Sequence, residues 1–340
     1  MLVFYHSSAN VILNQSLMDF SSMGQAVNNK YFWVAHLTLD SRLQNMTRLA
    51  LASLAFAPVC YASLAGIQNV FTFGDSYTTN GWGGTGDPLA AHSATCFSAG
   101  PPWSEQFAQL IGATLFDLAV SGATADQSIV FASPLDFRGQ TTAFIQQVTP
   151  ARVPWNSTNS LFTVSFGTND VNNSFRNTAG NGTDLYNQDL TSYFATVDRL
   201  YAAGARKFVF NNVVPFDRAQ IGVGQGATLQ EKMKQSILEF NAQLAAKASA
   251  YCATKTDITT CLTFDTHTVF TNLMNNPSQF GFKSADAFCQ TYANRFDCTV
   301  NEQVDTTCLG PIDVYIWKDA LHPSFAADKF WAQGLVSQLQ

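Results

Sequence analysis

Val70-Phe71-Thr72-Phe73-Gly74-Asp75-Ser76-Tyr77-Thr78 decides how the chain folds. Its first four residues are apolar or β-branched, and the run stops at Gly-Asp-Ser. That pattern predicts a short strand buried on both faces that delivers a polar turn at its carboxyl end. Four more runs repeat the pattern: Leu115–Val120, Leu161–Phe166, Lys207–Val214 and Cys261–Phe264. Helical stretches lie between and after them, at Ser104–Ile111, Thr142–Val148, Leu185–Ala203, Leu229–Tyr251 and Ser324–Leu339. Alternating β and α elements with short loops predict a mainly parallel sheet covered by helices on both faces. Ligands of such sheets bind at the carboxyl ends of the strands.

The residues at those ends carry the chemistry. Ser121-Gly122-Ala123 follows the second strand, Gly167-Thr168-Asn169-Asp170 follows the third, and Asp319-Ala320-Leu321-His322-Pro323 precedes the last helix. Acyl transfer needs a nucleophile, a base, a group that fixes the tautomer of the base, and donors for an oxyanion. Ser76 supplies a hydroxyl. His322 supplies an imidazole, which at neutral pH is largely free base. Asp319, three residues earlier, can accept the other ring N–H. The backbone N–H groups of Ser76 and Gly122 and the side-chain amide of Asn169 can donate to the oxyanion. Each piece alone is commonplace: an Asn-Asp pair is more often a cap or turn. Their joint occurrence, each at a strand end or beside the last helix, favours the catalytic reading. Tyr77, Trp82 and Trp317 sit close in sequence to these residues and are candidates for substrate contact; the two indoles either reach the rim, where they would stack on substrate, or pack their loops to the core.

The four marker positions Ser76, Gly122, Asn169 and His322, in that order, resemble those of the GDSL, or SGNH, hydrolases. Phe-Gly-Asp-Ser-Tyr-Thr, Gly-Thr-Asn-Asp and Asp-Ala-Leu-His-Pro are most similar to the fungal branch that contains carbohydrate esterase family 16 acetylesterases. The resemblance spans the chain from Val70 to its final helix. It implies a flavodoxin-like three-layer α/β/α sandwich, no metal, no cofactor, and deacetylation of sugars or oligosaccharides. Gln279–Asp313, with three cysteines, lies outside the shared motifs. The alternatives are a lipase or phospholipase with the same catalytic set, and a non-catalytic carbohydrate-binding relative.

Other candidates carry less. His267 near Asp265 reads as a structural pair at a strand end, and His92 lies in a Gly/Ala/Ser loop. Asp75 and Asp170 read as braces for their turns. Gly81-Trp82-Gly83-Gly84-Thr85-Gly86 matches GxGxxG literally but leads into Asp87-Pro88, not a helix, which argues against dinucleotide binding. There is no GxSxG elbow around Ser76 and no HExxH.

The 340 residues carry 18 Lys+Arg and 24 Asp+Glu, a net charge of −6, with no basic run. This argues against nucleic-acid or anionic-membrane partners. Met46-Thr47-Arg48, an apolar run from Leu49 to Tyr61 and Ala62-Ser63-Leu64-Ala65 form the three parts of a secretory signal. The expected division is a non-structural upstream extension at 1–45, a signal at 46–65 and a single esterase domain at 66–340, active outside the cell as a monomer. The apolar run is short for a membrane span and contains Pro58. Removing the leader takes three basic and two acidic residues and leaves 15 against 22. Six cysteines then remain, with sequons at Asn156, Asn172 and Asn181, which suggests disulfides and glycans. Cys252 and Cys261 flank one short loop and are the pair favoured by spacing.

Overall fold

The computed structural model describes residues 64–340 except 91, 93, 132–134 and 301–304, together with two two-residue strands, Ala26–Val27 and Lys30–Tyr31, that pair antiparallel. The expected extension at 1–45 and most of the expected signal at 46–65 lie outside the described residues.

Five strands form one parallel sheet: β1 (Asn69–Gly74), β2 (Thr114–Asp117), β3 (Ser160–Ser165), β4 (Lys207–Asn211) and β5 (Thr260–Phe264), in the order β2-β1-β3-β4-β5. All six residues of β1 and of β3 are buried, as continuous apolar runs in a doubly covered sheet require. Phe71 sits in register with Phe116 on one side and Phe162 on the other, and its ring meets both at 5.1 Å. The helices of seven residues or more are α1 (Trp103–Ile111), α2 (Phe137–Gln147), α3 (Thr168–Ser174), α4 (Thr183–Ala202), α5 (Ala227–Thr254), α6 (Thr266–Asn275) and α7 (Phe325–Leu339). One layer packs α7 against α1 and α6, the other packs α4 against α2 and α5. Right-handed crossovers force this split, because the step from β1 to β2 runs opposite to every later step. The order reverses between β1 and β3, which opens a crevice at their carboxyl ends. The fold is the flavodoxin-like three-layer sandwich.

All five strands lie where the apolar runs predict them, but two end early. β2 stops at Asp117, whose carboxylate turns back to accept the N–H groups of Ala119 (2.8 Å) and Asn80 (2.9 Å). β4 stops at Asn211, beyond which Val213 pairs with the side-chain amide of Asn241, at 2.8 Å in both directions. α2 starts at Phe137, five residues before the sequence suggests, because the Asp136 carboxylate caps it by accepting from Gly139 N–H. α7 begins as expected after Ser324, whose hydroxyl accepts from Ala327 N–H. α3 and α6 are additional helices.

Three disulfides staple the structure: Cys252–Cys261, as loop spacing suggests, with Cys96–Cys298 and Cys289–Cys308. The last two hold the cysteine-rich segment, which has a small core of its own around Ala99, Tyr292, Ile312 and Tyr315. Among the described residues, no helix is long and apolar enough to cross a membrane.

Candidate active site

The turn after β1 is tied down by Asp75. Its carboxylate accepts Tyr77 N–H at 2.9 Å, and its carbonyl accepts from Thr78 and Thr79 at 3.1 and 3.0 Å. Ser76 therefore sits on a fixed turn, nearly buried, with its hydroxyl facing the last loop. Burial pushes the Asp75 carboxyl up to about 7, against the lowering effect of the Tyr77 hydrogen bond.

That last loop closes on itself. Lys318 N–H donates to His322 O at 2.9 Å, and Ser324 N–H to Ile316 O at 2.8 Å, so residues 319–322 form a tight excursion. Within it, Asp319 Oδ1 accepts the N–H groups of Leu321 (2.8 Å) and His322 (2.7 Å). The His322 Nδ1 lies 2.8 Å from Asp319 Oδ2 and 3.0 Å from Oδ1. With Nδ1–H donated to the carboxylate, Nε2 is left as an acceptor, 3.0 Å from Ser76 Oγ. Burial would raise the Asp319 carboxyl, but the hydrogen bonds and charge of His322, with the backbone N–H groups, hold it well below the usual carboxylate range. The loop is anchored on both sides: Tyr77 Oη donates to Leu321 O at 2.7 Å, and Ile221 N–H to Ala320 O at 2.8 Å.

Two more turns complete the crevice. Gly122 follows β2 with φ +80°, a left-handed conformation that costs glycine little. Asn169 lies in the first turn of α3, and its Nδ2 donates to Ala123 O at 3.0 Å and reaches Asp75 Oδ2 at 3.4 Å. The three strand-end turns are thus mutually bonded. Gly167 before it has φ +125°, and a Cβ there would fall 2.4 Å from Val213 Cγ2 and 2.5 Å from Phe240. Among the described residues nothing accepts the backbone N–H of Ser76 or Gly122, which leaves both available to an oxyanion.

Of the two placements open to the indoles, rim or core, the structure shows the core. Trp82 is 2% exposed and turns inward, donating to Thr85 O at 3.1 Å. Trp317 is wholly buried, donates to Ala285 O at 3.1 Å and packs on Phe270. Neither presents its indole to solvent, because large apolar rings at loop roots gain more by packing. Tyr77 is also buried, its ring 5.7 Å from that of His322 and its hydroxyl spent on the base loop.

The rings that do flank the base are Phe97, 4.9 Å from the His322 ring, and Phe296, 5.2 Å from Phe97 and 41% exposed. Cys96 N–H donates to Phe296 O at 2.8 Å, and the Cys96–Cys298 disulfide ties their neighbours together. Sequence reading misses this wall because it needs the pairing of cysteines 202 positions apart. It also misses Lys318, a buried lysine 3.2 Å from Asp319.

Elsewhere, Asp265 spends its carboxylate on capping α6 through Thr268 and on Asn212, not on the His267 ring. His267 instead lines a separate cavity of about 510 Å³ with Asp217, Arg218 and Lys234. His92 sets Nε2 against Pro88 O at 3.4 Å. Asp170 braces the site as expected, accepting Ala125 N–H at 2.8 Å. Burial raises both Asp170 and Asp189, which face one another in the core.

A five-stranded parallel sheet with a serine, an imidazole and a carboxylate aligned at its topological switch point is a flavodoxin-like framework able to support hydrolytic chemistry. The sequence model described as GDSL-like Lipase/Acylhydrolase matches residues 70–335, and the chain belongs to that family. It is a carboxylic ester hydrolase. It is 30% identical to an acetylesterase of Thermothelomyces thermophilus over 71% of this chain and 84% of that one. It is 25% identical to an acetylesterase of Hypocrea jecorina over 75% and 84% of the two chains. A thermolabile hemolysin of Vibrio parahaemolyticus is 25% identical over 71% of this chain and 55% of its own length.

Proposed function

We propose that the protein is a secreted serine esterase that removes short acyl groups, acetyl above all, from sugars or oligosaccharides. The observation that carries the reading is the aligned set of Ser76 Oγ, His322 Nε2 at 3.0 Å, and Asp319 2.8 Å behind the ring. Ser76 Oγ attacks the ester carbonyl while its proton passes to His322 Nε2. The oxyanion takes the N–H groups of Ser76 and Gly122 and one amide hydrogen of Asn169. That hydrogen is the one spent on the long 3.4 Å contact to Asp75, the weaker of its two bonds. The carbon–oxygen bond to the sugar then breaks, and Nε2 returns the proton to the leaving alkoxide. A water, deprotonated by the same nitrogen, releases the acid from the acyl-enzyme and restores Ser76.

One feature supports a sugar as the leaving alcohol. The group that protonates the leaving oxygen is His322, so the alcohol must lie on the histidine side of Ser76, where Phe97 and Phe296 stand. Apolar ring faces there suit the C–H faces of a pyranose. Two of the relatives are acetylesterases, which supports acetyl as the acyl group. Export is supported by the leader pattern at 46–65 and by three paired cystines. Of the three sequon asparagines, Asn156 is exposed and the other two half-buried, which suits Asn156 to carry a glycan.

The test is acetate release from acetylated xylo-, manno- and chito-oligosaccharides, beside aryl esters of rising chain length. Ser76→Ala should abolish turnover and labelling by a fluorophosphonate while the protein still folds. Turnover that peaks beyond octanoate would replace the sugar-esterase reading with a lipid-directed one, and comparable activity in Ser76→Ala would end both.

A further inference from the structure

Lys318 has no part in the chemistry above, yet it is a wholly buried cation in contact with Asp319. Its ammonium has three neighbours: Ala293 O at 2.7 Å, Asp319 Oδ2 at 3.2 Å, and the Phe296 ring, whose centroid is 4.1 Å away. An ammonium has three N–H groups, and a carbonyl, a carboxylate and an aromatic face accept all three. A neutral amine would offer one N–H fewer and turn a lone pair on one of these negative surfaces. The surroundings therefore select the charged form, although burial lowers the pKa of this lysine before Asp319 restores part of it. Two of the three partners, Ala293 and Phe296, belong to the segment held by Cys289–Cys308 and Cys96–Cys298.

A carboxylate beside an imidazole favours the protonated ring, and a cation on the other side of that carboxylate opposes the effect. The other titratable groups around the pair act less directly. From the turn after β1, Tyr77 and Asp75 face the loop, and burial keeps both towards their neutral forms. From the cysteine-rich segment, Arg295 lies over the Tyr292 ring at 4.8 Å, and Asp297 flanks Phe296 in the chain. From α7, buried Asp328 is also held towards its neutral form.

We propose that Lys318 is a positioning residue of the Ser76–His322–Asp319 set: clamped by the cysteine-rich segment, its ammonium fixes the Asp319 carboxylate behind the base and offsets its charge, and the pH profile of the reaction depends on that cation. The inference rests on the esterase reading above.

The test is kcat/KM for an aryl acetate between pH 4 and 8, measured for the parent protein, Lys318→Met, Lys318→Arg and Phe296→Leu. In Lys318→Met the acid limb should move up by about one pH unit, the shift that loss of a nearby unit charge produces at protein-like dielectric. Lys318→Arg keeps the charge and should keep the parental limb. Phe296→Leu lets water reach the ammonium and should move the limb part of the way. An active Lys318→Met whose limb coincides with the parent's, with only its rate or thermal stability reduced, would overturn the proposal. If Lys318→Met does not fold, an unmoved limb in Phe296→Leu overturns it instead. Absence of turnover and of Ser76 labelling in the parent would overturn the esterase reading and this inference together.

Discussion

Raising the pH from 4 to 8 should destabilise the fold, and the reason is a set of buried carboxyls. Asp75 titrates near 3.8 in an unfolded chain and is pushed up to about 7 here, chiefly by burial. Between those two values the native state holds a proton that the unfolded chain has released. Stability is then fully present below the ordinary value and is lost as pH rises through about 7. Roughly three pH units at about 1.4 kcal/mol each give a loss of about 4 kcal/mol from this residue. Asp117, pushed to about 7, and Asp217, pushed to about 6, act in the same direction. Asp319 is shifted the other way, so its contribution is lost only as pH falls below the ordinary carboxylate range, and it does not oppose the trend. For a domain of this size, about 2–4 °C of Tm per kcal/mol makes the Asp75 share alone about 8–16 °C. The assay is calorimetric Tm at constant ionic strength from pH 4 to 8, for the parent and Asp75→Asn. The amide can still accept Tyr77 N–H but cannot ionise, so its profile should be flatter. A parental Tm that is level or rising over this range, or an Asp75→Asn profile with the parental slope, would refute the reasoning.

Asp319→Asn should lower kcat for aryl acetates by about 10⁴, because an amide facing His322 Nδ1 holds the ring in the wrong tautomer; steady-state kinetics would show it. Replacing Cys96 and Cys298 by serine opens a link across 202 positions and should cost about 2–5 kcal/mol in urea unfolding, measured with the other two disulfides intact. Gly167→Ala sets a Cβ against Val213 and Phe240 at a φ of +125°, so it should destabilise by more than about 4 kcal/mol. Soluble expression and Tm report the loss, and a parental Tm would show that the turn can move.

The sheet was legible because buried parallel strands write themselves as uninterrupted apolar runs, and Val70–Phe73 and Leu161–Phe166 could be little else. α6 was not. Thr-His-Thr-Val-Phe-Thr-Asn-Leu-Met-Asn is rich in β-branched and polar residues and has weak helical propensity. It is helical because Asp265 caps it and because Phe270, Leu273 and Met274 bury against their neighbours. At the candidate site, each motif was visible in a few adjacent residues, while their meeting is a product of topology: Ser76 and His322 stand 246 positions apart and 3.0 Å from each other. The direction in which Trp82 and Trp317 point could not be read, since an indole near a motif in sequence may face rim or core. Here both loops root themselves with it.

This division has a physical logic. Ser76, Gly122 and Asn169 ride on the ends of β1, β2 and β3, where strand pairing fixes position and the turns bond directly to one another. Residues that contact the reacting carbonyl need that rigidity, since small displacements there are costly in rate. In the proposed mechanism the leaving group faces Phe97 and Phe296, which belong to loops outside the sheet. Such loops are free to vary only if something other than the sheet holds them, and Cys96–Cys298 and Cys289–Cys308 do so. Lys318 then joins the two systems, for its ammonium bonds both to a carbonyl of the cysteine-rich segment and to the carboxylate of the base loop. A change in that segment reaches the base through Lys318, so substrate surface and proton transfer are coupled by one buried charge.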